Sequence, residues 1–432
     1  MKRFKLVFTT TILFLLLLAH CEENETTADT ESETIKIGFL HNFSNTTDKS
    51  RLNTLLMAVE EVNNNGDIFG RKIELVYQDT QGDTNVIKQK ATQMIADGIV
   101  AILGLNGSTQ TLVMSKAVTI PAGIVHIGHL QTSASISSLN DQNLVWRTCP
   151  SDAFQGNIAA KYVVDTWNPT NVAVIYVNDT YGKGLANVFK TKITELGKTV
   201  NTFKSFESSA TNFDNTFLTE VFSKKPDLIY VVGEAAITAT FTVNAQVYLT
   251  DNPQNIPHIM GCDATYNSGV FLPNADKNFS VGMRGTKPSI KKDALNYATF
   301  VANFKAKYGT EPTATACAEI YDAFYLIVYA MLKAGEKTFE SKDNKQISQA
   351  IAQNLKRISG GDQTYQGPTI NVNEFSKAKT ILPSGEINYD GASGNVDLDE
   401  NGDIKSGYYE LWEVVKSGNE LKFETKTYIQ YP

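Results

Sequence analysis

The sequence predicts an α/β protein of two parallel-sheet lobes, and three observations carry the prediction. From Ile35 onward, short apolar runs alternate with segments of helical periodicity. One such series ends near Ile127, and the pattern restarts at Asn171. The runs Ile99–Leu103 (IVAIL), Asn171–Val177 (NVAVIYV) and Asp227–Val232 (DLIYVV) are almost continuously apolar, as strands covered by helices on both faces are. Strands alternating with helices favour parallel sheets with right-handed crossovers.

The elements follow in order. Ile35–Leu40 reads as a strand, and Leu52, Leu55, Leu56, Val59 and Val62 recur at helical spacing behind it. The Asn63–Gly66 cluster stops that helix. Lys72–Tyr77 is the second strand, and Val86/Ile87, Lys90/Ala91 and Met94/Ile95 mark a second helix. Strand Ile99–Leu103, a loop Gly104–Ser108, a helix to about Ala117 and strand Gly123–Ile127 complete the first series. The second series reads as strand 171–177, helix 183–196, strand 199–206, helix 213–222, strand 227–232, helix 237–249 and strand 256–260. Three further helices are expected over 294–309, 318–334 and 346–358. From Ser359 the chain is rich in glycine and turns, and it closes on two strand-like runs, Tyr408–Val415 and Leu421–Ile429.

The N-terminus reads as an export signal. Met1, Lys2, Arg3 and Lys5 form a positive start, and Leu6–Ala19 is apolar apart from Thr9–Thr11. That run falls short of the roughly 20 residues a spanning helix needs and has the length of a secretory core. Leu18-Ala19-His20-Cys21 resembles a bacterial lipoprotein cleavage site, with His20 departing from the usual small residue. Cys21 is thus the expected lipidation site; the alternative is a plainly cleaved signal with Cys21 incidental. Residues 1–20 are then signal peptide and 21–34 a polar, acidic tether. The mature chain is expected outside the cytoplasm, on the periplasmic side or the cell surface, touching membrane only through its lipid.

Hydrophobic residues at 42% and charged residues at 20% describe a globular chain. A net charge of −7 argues against nucleic acid as a partner, because phosphate binding needs surplus basic residues. Cys149, Cys262 and Cys317 follow Cys21; an odd number leaves at least one thiol free, with the pairing of any disulfide open.

Candidate site residues lie just past strand ends, where open α/β sheets bind ligands. Ser108 and Thr132 occupy such positions in the first series, and Tyr181, Glu234 and Asp263 in the second. Ser108 opens a helix, whose free N–H groups suit a carboxylate; the plainer reading is that Ser108 caps that helix. Five polar side chains then converge from two sheets on one space. Ser108 and Thr132 suit an anionic group and Asp263 a cationic one, as a zwitterion requires.

The sequence resembles the type I periplasmic binding proteins for leucine, isoleucine and valine over about 35–430. The resemblance rests on Ala58–Asn63 (AVEEVN), Gly70–Leu75 (GRKIEL), Gly104 with Ser108, Arg147-Thr148 with Ser151-Asp152, Tyr181–Gly184 (YGKG), Gly261–Asp263 (GCD) and Tyr321–Ala323 (YDA). It implies two Rossmann-like lobes joined by a three-crossing hinge, with crossings near Arg147–Pro150, Thr286–Pro288 and Asp390–Asn395. Lobe 1 is then 35–148 plus 288–390, and lobe 2 is 149–287 plus 391–432. Ser108 matches the serine that holds the ligand's α-carboxylate, and Thr132 the threonine that touches carboxylate and ammonium. The Leu130 carbonyl matches an acceptor for the ammonium, Asp263 the acid that pairs with it, and Tyr181 a tyrosine lining the second lobe. Glu234 sits where several relatives carry an aromatic residue, and Thr47 where an aromatic would cover the side-chain pocket. Both departures argue against a simple aliphatic ligand; the plain alternative for Glu234 is solvent or a helix cap.

Other motifs are weaker. Gly182–Asn187 imitates a dinucleotide fingerprint without its third glycine. Asp397–Gly402 begins like a calcium loop but lacks the closing glutamate, so a polar hairpin is the better reading. His126 and His129 flank a strand end, not a helix face. The expectation is a monomeric, non-catalytic substrate-binding protein of an ABC importer, with a small-molecule ligand, a membrane permease as partner and no cofactor or metal. A ligand-sensing receptor protein of the same fold is the alternative, and a Rossmann-like enzyme a further one.

Overall fold

The computed structural model describes residues 34–44, 48–291 and 293–431. The signal, the tether, Cys21 and Thr47 therefore lie outside the described residues, except Thr34 at the tether's end. The first part of the chain forms β1 (Ile35–His41), α1 (Ser50–Asn64), β2 (Ile73–Asp79), α2 (Thr84–Ala96), β3 (Ala101–Gly104) and α3 (Ser108–Met114). A π-helical turn, Ser115–Thr119, leads into α4 (Ile120–Ala122), β4 (Val125–Gly128), α5 (Ala134–Ser137) and β5 (Val145–Arg147). These strands build a five-stranded, wholly parallel sheet in the order β2-β1-β3-β4-β5.

The second part runs α6 (Asp152–Trp167), β6 (Asn171–Val177), α7 (Thr180–Glu195), β7 (Thr199–Phe206) and α8 (Asn215–Phe222). It continues with β8 (Leu228–Val232), α9 (Ala235–Asp251), β9 (His258–Gly261), α10 (Phe271–Asn274) and β10 (Arg284–Ser289). The chain then returns to the first sheet with α11 (Leu295–Tyr308), α12 (Cys317–Ala334), α13 (Glu336–Glu340) and α14 (Asn344–Ile358). A small three-stranded sheet follows, from β11 (Thr369–Ile370), β12 (Asn388–Gly391) and β13 (Gly394–Asn395), with α15 (Phe375–Ile381) between its first two strands. The hairpin β14 (Gly407–Ser417) and β15 (Glu420–Tyr431) ends the fold.

The second sheet has seven strands in the order β15-β14-β10-β9-β8-β6-β7. Its members β6 to β10 pair in parallel, whereas β14 runs antiparallel to β10 and β15 to β14. The sequence reading of parallel sheets thus holds for the helix-covered strands. The terminal hairpin adds an antiparallel edge, because a short turn can join only antiparallel neighbours.

Local chemistry sets the helix starts. Asp83, Ser151, Asp179, Asp214 and Asp343 each accept backbone N–H groups at the first turn of the helix they precede, which satisfies donors that have no intrahelical partner. Every residue of β8 is buried, and so is α12 from Cys317 to Leu332 apart from Glu319, so this helix lies inside the first lobe's core rather than on its surface. Gly104 ends β3 at φ +111°, and a Cβ there would stand 2.2 Å from the Leu40 carbonyl oxygen. Only glycine lets the chain leave this strand toward α3.

One boundary differs from the sequence reading. Lobe 1 was expected to end at residue 390, with 391–432 in lobe 2. Ala392, Val396, Leu398 and Ile404 instead pack into the core around the first sheet, so the last passage between lobes comes after Ile404. The cause is Asp322, buried on α12. Its carboxylate accepts the Tyr389 hydroxyl at 2.8 Å, the Ala392 N–H at 2.7 Å and the Ser393 N–H at 2.7 Å, pinning this turn to lobe 1. Arg147 closes the same region. Its Nε lies 2.6 Å from Asp403, and its guanidinium donates to the carbonyls of Gln131 and Ser133. Cys149, Cys262 and Cys317 are all free and buried. No helix among the described residues is long and apolar enough to cross a membrane.

Candidate ligand-binding cleft

A cleft of about 630 Å³ separates the carboxyl ends of the two sheets, within the range of small-molecule sites. All six residues expected at a site line it: Ser108, Leu130 and Thr132 from the first lobe, and Tyr181, Glu234 and Asp263 from the second.

The first lobe offers hydroxyls. Ser108 is the first residue of α3, and the capping position belongs to Gly107. The Ser108 hydroxyl is therefore not a helix cap. It accepts the Ser133 N–H at 3.2 Å, which leaves its own proton available to an acceptor in the cleft. Thr132 is buried, and its carbonyl accepts the Asp152 N–H at 2.7 Å. Gln131 donates to the carbonyls of Gly104 and Leu105, clamping together the two loops that carry Ser108 and Thr132.

The second lobe offers acids. Asp263 follows β9, and one of its oxygens accepts both the Tyr181 hydroxyl at 2.6 Å and Gln155 Nε2 at 2.9 Å. Gln155 also donates to the Thr286 carbonyl at 3.1 Å, so the hinge strand β10 helps hold the acid in place. Burial pushes the Asp263 carboxyl up. Asp152, fully buried on the first turn of α6, is pushed well up by burial and then by the charge of Asp263. Neither Asp152 oxygen makes a close hydrogen bond, although the Thr132 hydroxyl lies near enough to favour its charged form. The two acids form a buried pair in which full ionisation of both is costly.

Glu234 stands at the capping position of α9 without capping it. Its carboxyl is accessible within the cleft and is pushed up to about 7 by burial and by the charges of Asp263 and Asp179.

Sequence reasoning missed several residues here. His129 and Glu319 line the cleft from lobe 1 and Lys287 from the hinge. Asp152 and Gln155 stand behind Asp263. Ser151 ahead of an acidic first turn was a usable signal for α6, which would have put Asp152 and Gln155 on one helical face. Burial pushes Glu319 up to about 7, while Lys287 pairs with Glu410 at 2.8 Å. The lobes also touch beside the cleft. The Thr180 N–H donates to the Thr109 hydroxyl at 3.2 Å, and the Thr180 carbonyl accepts the Ser133 hydroxyl at 3.1 Å.

The remaining motifs resolve locally. Gly182 and Gly184 sit in the first turn of α7, with Gly184 facing Ser133 across the lobes. Asp399 accepts the N–H groups of Asn401 and Asp403, and Leu398 bridges Ile404 in antiparallel fashion, a turn held by its own acid. His126 Nε2 donates to the Gly104 carbonyl at 3.2 Å; no group of three metal-ligating side chains occurs among the described residues.

Two α/β lobes that face each other across a polar cleft, linked by three chain passages, define the class of two-lobed binding proteins. The periplasmic binding protein family model matches residues 34–366. The chain is 24% identical over 361 residues to the leucine-, isoleucine-, valine-, threonine- and alanine-binding protein of Pseudomonas aeruginosa, covering 83% of each chain. It is 25% identical over 378 residues to the chemotactic signal transduction system substrate-binding protein BasB of Halobacterium salinarum, covering 84% of this chain and 83% of the relative. The solved leucine-binding protein LivK of Thermotoga maritima superposes with a TM-score of 0.69 at 22% identity, over 92% of this chain and 99% of that one. The chain belongs to the periplasmic binding protein family, and its fold is that of the type I members.

Proposed function

We propose that this protein is the non-catalytic substrate-binding component of an ABC importer and encloses an amino acid or a related small polar solute between its lobes. The observation that carries the reading is the polarity of the cleft. Ser108 and Thr132 on one lobe suit a carboxylate, while Asp263, steadied by Tyr181 and Gln155 on the other, suits an ammonium. Such a guest touches both lobes and so stabilises the closed form over the open one. Spacing couples the two events: Ser108 and Thr132 face the guest, and their neighbours Thr109 and Ser133 bond to Thr180 of the opposite lobe. A membrane permease then reads the closed form. In this proposal the leader is removed, Cys21 is acylated, and the monomer stays outside the cytoplasm on a lipid leash, without cofactor.

A sensory role is the second reading, favoured by the likeness to a chemotactic substrate-binding protein. A thermal-shift and calorimetry screen over the amino acids and small amides tests the main reading. A ligand that binds only the folded chain raises its melting point, and that ligand must be recovered unaltered. Failure of every amino acid and amide to bind, or turnover of one, defeats it. Membrane fractionation of Cys21→Ser, expected to release the protein, tests the anchor.

A further inference from the structure

We propose that the ligand carries a second cationic group beyond its α-ammonium, and that Glu234 is the residue that selects for it. The inference rests on the amino-acid reading above and narrows it to side chains ending in an ammonium or guanidinium.

Four carboxylates line the cleft: Asp179, Glu234, Asp263 and Glu319. Two already have tasks. Asp179 caps α7 through the Gly182 N–H at 2.8 Å, and Asp263, bonded by Tyr181 and Gln155, is the partner of the α-ammonium. Glu234 has none: its side chain leaves α9 uncapped, and no described residue donates a hydrogen bond to it. Lys287, the lysine in the lining, is ion-paired with Glu410 and lies over the Tyr266 ring at 4.7 Å. The cations near the cleft, Arg51 and Lys287, act on Glu319, whereas among the described residues the only charges acting on Glu234 are the acids Asp263 and Asp179.

A second feature points the same way. His129 is fully buried, lines the cleft, and has no hydrogen-bond partner at either ring nitrogen. Burial, together with Arg51, keeps this imidazole neutral, so one nitrogen is a free acceptor. Glu319 Oε2 is also buried and unpartnered. An unsatisfied buried polar group costs stability unless a guest completes it. An aliphatic side chain closing over Glu234 would remove its water and give nothing back. A side-chain cation gives it a charge-assisted partner.

Proton linkage supplies an independent readout. The groups that face Glu234 are the acids Asp263 and Asp179, and burial first, then these two charges, push its carboxyl up to about 7 in the ligand-free chain. A cation favours the ionised form, so binding expels a proton and weakens as the pH falls from 8 to 6.

The test is calorimetry on the full mature chain with lysine, ornithine, arginine, leucine and glutamine at pH 8 and pH 6. At least one basic amino acid should bind tenfold or more tightly than leucine, and lose several-fold in affinity at pH 6. Glu234→Gln, checked by its melting point, should shrink the basic-to-leucine ratio at least tenfold and flatten the pH dependence. If that variant is unstable, the wild-type pH series and Glu234→Asp decide. Leucine or glutamine binding more tightly than every basic amino acid overturns the inference and leaves the importer reading standing. An unchanged ratio in Glu234→Gln also overturns it. No binding of any amino acid or amide defeats the importer reading itself.

Discussion

Asp263→Asn separates the roles of the acid at the centre of the cleft. The substitution keeps an oxygen where the Tyr181 hydroxyl and Gln155 Nε2 now donate, at 2.6 and 2.9 Å, so neither donor is orphaned. What disappears is the negative charge that, in the proposed function, faces the ligand's ammonium. Removing one partner of a buried charge pair costs about 2–5 kcal/mol. With the local donors still satisfied, the lower part of that range applies, about 2–3 kcal/mol, or roughly 30- to 150-fold in Kd. Asp263→Ala would add the cost of two unpaired donors, about 1–3 kcal/mol each. The ligand-free protein should respond in the opposite sense. Asp152 and Asp263 are both pushed up relative to their unfolded values. Native carboxyls that hold protons the unfolded chain has released lower stability as the pH rises above the ordinary carboxylate range. The asparagine variant removes that repulsion, so its ligand-free melting point at pH 7 should equal or exceed the wild type's. Calorimetry and thermal melts on the same samples check both halves. Wild-type affinity in the variant would remove Asp263 from the site. A fall in ligand-free stability as large as the loss of binding would make the residue structural.

Three further outcomes follow from the geometry. Thr109→Val and Ser133→Ala each delete one bond to Thr180 and should weaken ligand binding by about 0.5–1.5 kcal/mol, with stopped-flow showing the loss mainly in the off-rate. Asp322→Ala removes the acceptor of four donors, the Tyr389 and Ser393 hydroxyls and the Ala392 and Ser393 N–H groups, and should lower unfolding free energy by at least about 3 kcal/mol, read from urea midpoints. Burial lowers His41 and His126 from 6.5 to about 4. Each therefore contributes about 3 kcal/mol that is present above pH 6.5 and lost as the pH falls toward 4. His126→Asn should lose less stability than wild type between pH 7 and pH 4.5 in the same assay.

Much of this molecule was legible because its signals are local. The runs 99–103, 171–177 and 227–232 read as buried strands because helices cover both faces, and β3, β6 and β8 match them to within two residues at either end. Ser108, Thr132, Tyr181, Glu234 and Asp263 could be collected because strand ends in α/β sheets share one rim. The turn at 391–404 could not be placed, since its position depends on Asp322, some 70 residues away in sequence. His129, Glu319 and Lys287 escaped for a related reason. His129 does follow a strand end and Lys287 lies in the Thr286–Pro288 crossing, but neither position says that its side chain turns into the cleft, and Glu319 carries no local mark; only the facing of two sheets and a hinge makes the three neighbours. Antiparallel pairing of β14 with β10 is likewise a long-range choice that strand-like periodicity does not encode.

The three cysteines have a practical consequence. Burial pushes all three thiols up to about 12, so at neutral pH only about one in 10⁵ is the reactive thiolate. Cys149 and Cys317 border the cleft, whereas Cys262 sits beneath the end of β9. Both are 4% exposed, and alkylation of these two should quicken as the lobes part and slow when a ligand holds them together. On that expectation the native chain carries its own gauge of breathing: the rate at which those two sulfurs are tagged should follow how often the mouth gapes, without a label having to be engineered in.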